Sequence, residues 1–91
     1  MREEQTRSPQ SFASNLGLAQ VLYNLNEYEE ALEYFQRALS ANPDSDSALA
    51  LAGYTLRRLG RNAESNEYFR RCLAVNPDYP DREEMKGWLG E

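Results

Sequence analysis

Glu33-Tyr34-Phe35-Gln36-Arg37-Ala38-Leu39-Ser40-Ala41-Asn42-Pro43-Asp44 is answered, thirty-four positions on, by Glu67-Tyr68-Phe69-Arg70-Arg71-Cys72-Leu73-Ala74-Val75-Asn76-Pro77-Asp78. The Glu-Tyr-Phe and Asn-Pro-Asp anchors are identical, and between them Arg37 matches Arg71 and Leu39 matches Leu73. The same shift pairs Leu22 with Leu56, Leu25 with Leu59 and Glu30 with Glu64, without a gap. A repeat of this length marks stacked supersecondary units, none of which buries its apolar face alone. Such chains usually work through an extended surface, not a catalytic pocket.

Each unit reads as two helices. Leu18, Leu22 and Leu25 fall at i, i+4 and i+7 on a first helix over about 11–24, where they predict its buried face. Asn26 follows, a residue that tolerates the left-handed conformation ending helices. Tyr28, Ala31, Leu32, Phe35, Ala38 and Leu39 make a cleaner stripe, opposite Glu29, Glu30, Glu33, Gln36 and Arg37. Pro43 stops this helix, and Asp44 or Ser45 can cap the next. Leu49, Ala52, Leu56 and Leu59 line a third helix, and Gly60 takes the place of Asn26. A fourth runs from about Asn62 to Val75, burying Phe69, Cys72 and Leu73, and Pro77 ends it. A fifth starts after Pro80 with Asp81 as cap and runs from Arg82 to about Leu89, weakened by Gly87 and Gly90. Turns this short force neighbouring helices to lie antiparallel.

Composition narrows the function. The 91 residues suffice for one small domain, with 41% hydrophobic residues and a net charge of −5. A general nucleic-acid binder needs a basic face, which this balance opposes. The single cysteine, Cys72, forbids an internal disulfide, and the absence of histidine argues against zinc. No signal peptide and no membrane-length apolar run is visible, so the expectation is a cytoplasmic protein without membrane contact. No nucleophile–base pair, phosphate-cradling glycine loop or metal cluster stands out, so neither an enzyme nor a cofactor is expected. Residues 1–10 are polar and read as a flexible arm.

These spacings resemble the tetratricopeptide repeat. In a first repeat over 12–45, Leu18-Ala19, Leu22, Ala31, Phe35, Ala38 and Pro43 occupy the family's signature places. In a second over 46–79 the same places hold Leu49, Ala52-Gly53, Leu56, Ser65, Phe69, Cys72 and Pro77. Small residues stand where helices approach closely, with Phe35 and Phe69 beside them. Asn15 departs from the pattern in the first repeat, and Asn62 and Ser65 depart in the second, which predicts a less tightly packed second pair. The resemblance implies an all-α superhelix of two helix pairs, with 80–91 as a capping helix and 11–91 as one domain.

It also implies a concave groove lined by the first helix of each pair, which commonly holds a peptide or helix of a partner protein. The best-understood version grips a chaperone's terminal carboxylate with Lys, Asn and Arg. This chain has Leu16, Gln20, Leu51, Asp81 and Met85 at those places, so that clamp is not expected. By helical phase, the groove should instead present Gln20, Tyr23, Asn24, Tyr54, Arg57, Arg58 and Trp88. Tyr, Trp and Arg are the residues most enriched in binding hot spots.

Blander assignments compete at several places. Arg57 and Arg58 sit where cations favour the helix dipole, and Tyr23 and Tyr54 suit packing between helices. Residues 57–71 hold five Arg against two Glu, read mainly as a solvated face with local pairs such as Glu67 with Arg71. Cys72 takes a small-residue core position. Trp88 either caps the second repeat or joins the chain to a partner or a second copy, the last being the alternative function of homo-oligomeric assembly.

Overall fold

A computed structural model of the chain describes residues 11–90, and the arm expected over 1–10 lies outside them. Five helices follow one another: α1 (Phe12–Asn24), α2 (Tyr28–Ala41), α3 (Asp46–Arg58), α4 (Asn62–Val75) and α5 (Arg82–Leu89). Each packs mainly on its neighbours in sequence, α1 on α2, α2 on α3, α3 on α4 and α4 on α5. The result is two helix pairs and a fifth helix laid on the second pair.

The helix ends follow from single residues. Ser11 and Ser45 cap α1 and α3, their hydroxyls accepting from the Ser14 and Ala48 N–H groups at 3.4 and 3.1 Å. Asn26 (φ 65°) and Gly60 (φ 79°) turn left-handed after α1 and α3. Asn26 and Glu27 donate back to the Tyr23 and Leu22 carbonyls, and Gly60 and Arg61 to those of Arg57 and Leu56. This paired pattern satisfies carbonyls the helix would otherwise leave bare. After α2 and α4 the Asn-Pro-Asp turns repeat as well. Asn42 and Asn76 side-chain oxygens accept from the Asp44 and Asp78 N–H groups at 3.3 and 3.1 Å.

The core runs through the joints between helices. Ala19, Ala31, Leu32, Phe35, Ala38 and Leu39 fill the first pair, and Leu49, Ala52, Leu56, Phe69 and Cys72 the second. Gly53 lies against the Phe69 ring, where a Cβ would stand 2.7 Å from Cδ1. Asn76 donates to the Asp46 carboxylate at 2.8 Å, tying the end of α4 to the start of α3. Cys72 is fully buried, its thiol 3.4 Å from the Asp46 carbonyl and pushed up to about 11, first by burial and then by Asp46 and Asp81.

Three expectations need correction. Leu18 and Leu25 do not face the core; they are 43% and 64% exposed, and Asn15 and Ala19 are the buried residues of α1. The cause is position, because α1 has a packed helix on one side only, whereas α3 has α2 and α4. Glu67 and Arg71 form no ion pair. Arg71 lies over the Tyr68 ring at 5.3 Å, while the matching pair in the first repeat, Glu33 with Arg37, closes at 2.7 Å. Asp81 precedes α5 without capping it through its side chain, because its carboxylate accepts from Tyr54 instead.

Candidate partner-binding groove

Where α1, α3 and α5 converge, a cavity of about 350 Å³ is lined by Tyr23, Tyr54, Arg57, Arg58, Glu84 and Trp88. Five of the seven residues singled out by helical phase therefore come together. Gln20 and Asn24 do not line it; both are exposed on α1. Glu84 is absent from the residues expected there, because as a carboxylate pair with Glu83 it offers no shared site, adjacent helical residues not facing each other. Its signal was the phase it shares with Trp88, four residues on.

The floor is aromatic. Trp88 stacks on Phe69 at 5.3 Å and 23°, and Tyr54 meets both rings edge-on, 5.4 Å from Phe69 and 5.9 Å from Trp88. The fifth helix is thereby held over α3 and α4 by its one large ring, with Met85 fully buried beneath. Tyr54 donates its hydroxyl proton to Asp81 Oδ2 at 2.6 Å. Burial, then this bond and the carboxylates of Asp81 and Glu84, hold the Tyr54 proton far above the ordinary phenol range.

The cations sit on this floor differently. The Arg57 guanidinium lies 4.3 Å from the Trp88 ring centre, a cation–π contact that leaves its N–H edge free to face a ligand. Arg58 is fully exposed, and the Tyr23 hydroxyl beside it favours its charged form. Tyr23 packs edge-on against Tyr28 at 5.4 Å, and Tyr28 in turn donates to the Asn26 side chain at 2.8 Å. Both arginines stand in the last turn of α3, where the helix dipole adds partial negative charge behind them.

A helical-repeat protein with a partly aromatic, partly cationic hollow between its inner helices is the class this geometry defines. Two family profiles, both described as tetratricopeptide repeat, match residues 15–45 and 46–79. The chain belongs to the tetratricopeptide repeat family, whose repeats are protein–protein interaction modules. No curated protein matches it in sequence. Among the described residues, no helix is long and apolar enough to cross a membrane.

Proposed function

We propose that the chain is an adaptor that binds a segment of a partner protein in the hollow between α1, α3 and α5, and that the segment carries an acidic side chain beside an aromatic or large aliphatic one. The carrying observation is the pairing of Arg57 and Arg58 with the Tyr54–Trp88 floor around one cavity. A carboxylate would take charge-assisted hydrogen bonds from the guanidinium edges, and an apolar neighbour would lie on the rings. Tyr23 forms the wall on α1, and Gln20 and Asn24 would extend the contact along that helix.

Binding a chaperone's terminal carboxylate by the family's clamp is disfavoured by the residues at its places. Met85 is fully buried, Leu16 and Leu51 are half-buried, and Asp81 is engaged by Tyr54 and carries the wrong sign. The set offers binding groups and no reacting pair, so the reading is recognition, not catalysis.

A peptide library displayed on phage tests this directly. Selection on the unaltered protein should enrich Asp or Glu next to an aromatic or aliphatic residue. The double variant Arg57→Ala/Arg58→Ala should bind a selected peptide about tenfold or more weakly, as expected for charge-assisted bonds, with unchanged helicity. Unchanged affinity in that variant, or no enrichment at all, would reject the groove. Tyr54 and Trp88 are unsuitable first targets because both also hold α5 in place.

A further inference from the structure

The hollow between α1, α3 and α5 has two electrical ends. At one stand Arg57 and Arg58, in the last turn of α3. At the other stands Glu84, in the first turn of α5 and the one carboxylate among the described residues lining the hollow. Tyr54 lies between them. It precedes Arg57 by three residues, and its hydroxyl reaches Asp81, three residues before Glu84, whose charge also acts on it. Trp88 carries the Arg57 guanidinium at 4.3 Å and follows Glu84 by four residues. The Arg57 seat and Glu84 are therefore about one helical turn, roughly 6 Å, apart along α5.

The Glu84 carboxylate is unpaired. It is exposed, and among the described residues it makes no hydrogen bond or ion pair, although two arginines line the same hollow. Its neighbours differ. Asp81 is engaged by Tyr54, and Glu83 approaches Arg82 at 3.9 Å. Glu83 shares the first turn of α5 and suits the helix dipole equally, yet it does not line the hollow. The dipole alone thus gives no reason for a carboxylate at this wall. A site for an acid alone is weakened by a carboxylate beside it. A ligand that brings a cation with its acid meets complementary charge at both ends.

We infer that Glu84 is a specificity-determining residue of this groove, which takes a segment carrying an acidic side chain at Arg57 and Arg58 and a basic one at Glu84. The inference rests on the binding role proposed above and narrows its ligand. A separation of roughly 6 Å matches side chains two residues apart in an extended segment or four apart on a helix. Lysine and arginine fit the basic place, because their aliphatic stems can lie along the Tyr54–Trp88 floor while the charged end reaches the carboxylate. A run of acids sets its second charge against Glu84, so it is rejected where a mixed pair is accepted.

Phage-displayed peptides selected in parallel on the unaltered protein and on Glu84→Lys test this. On the unaltered protein, enriched peptides should pair their Asp or Glu with a Lys or Arg two or four residues away. On Glu84→Lys, a second acid should replace that base. One enriched peptide, synthesised with its basic residue kept or changed to glutamine, gives the magnitude. The change should weaken binding to the unaltered protein roughly fivefold, the upper end for an exposed ion pair, and leave binding to Glu84→Gln unaffected. Acids enriched without a base, or the same preference on both proteins, overturn the role of Glu84 while the groove itself stands. A base that matters equally in Glu84→Gln is read elsewhere and overturns it too. No enrichment on either protein rejects the groove and this inference together. Helicity and melting of both variants confirm that they are folded.

Discussion

A Cβ at Gly53 would stand 2.7 Å from Cδ1 of Phe69, a ring already fixed by Trp88 on one face and Tyr54 at its edge. Helix propensity alone favours alanine over glycine by about 1 kcal/mol. Overpacking a closed core costs about 1–3 kcal/mol, and Phe69 is fully buried. The steric effect should win, so Gly53→Ala is expected to destabilise by about 1 kcal/mol in urea unfolding, the net of the two effects. Gly17, inside α1 with nothing within 4 Å, is the counterpart. There the same change should stabilise by roughly 0.5–1 kcal/mol. If both changes move the urea midpoint in one direction, close packing at Gly53 is not what separates them. The departure at Ser65 has a similar local meaning. Its hydroxyl is buried where Ala31 stands in the first repeat, and it finds no hydrogen-bond partner.

Helix ends show what local chemistry decides. Gly60 and Asn26 fill the same left-handed position after α3 and α1, with the same pair of returning N–H bonds. Alanine at position 60 keeps those bonds but puts a Cβ into a conformation that costs about 1–2 kcal/mol. Gly60→Ala should therefore lower stability by about that amount, and Asn26→Gly should lower it by up to about 1 kcal/mol, because the Tyr28 hydroxyl loses its acceptor and this outweighs the few tenths of strain relieved. Chemical denaturation of the two variants checks both signs, and a neutral Gly60→Ala would mean that the turn re-forms another way. These elements were legible in the sequence because capping, turn residues and the 3.6-residue period are local properties. What could not be read there is which face has a neighbour. Leu18 and Leu25 obey the apolar period as well as Leu32 and Phe35 do, yet they lie exposed because no helix packs on their side of α1. The candidate groove was partly legible through phase, which brought Tyr23, Tyr54, Arg57, Arg58 and Trp88 together. Glu84, the exclusion of Gln20 and Asn24 from the cavity, and the diversion of Asp81 to Tyr54 depend on how α5 settles across α3 and α4, a tertiary matter.

Across the whole molecule, stability in a linear stack passes from neighbour to neighbour, and here its chemistry is uneven. The protons of Cys72, Tyr54 and Tyr79 are all held above their ordinary range, each first by burial, and Asp81 adds to all three. They lie where α3, α4 and α5 meet, so the second pair and its covering helix should be the alkali-sensitive part of the chain. The sign follows from linkage. A group with a raised folded-state pKa binds more protons folded than unfolded, once pH passes its unfolded value. Its contribution is complete below that value and is lost as pH rises through the folded one. For Cys72 the window opens at the usual thiol range, near pH 9, and extends to about 11. The two tyrosines open theirs near pH 10 and continue the fall beyond it. The urea midpoint should therefore decline from about pH 9 upward. Asp81→Asn keeps an acceptor for Tyr54 but removes the negative charge, so its decline should be shallower. Trp88, the one tryptophan in the chain and stacked on Phe69, reports on this region by fluorescence, while circular dichroism reports on all five helices. A midpoint that holds constant from pH 8 to 11 would show that these buried protons do not govern the alkaline limit, whereas an Asp81→Asn profile as steep as that of the unaltered chain would show that burial alone sets the slope and Asp81 does not.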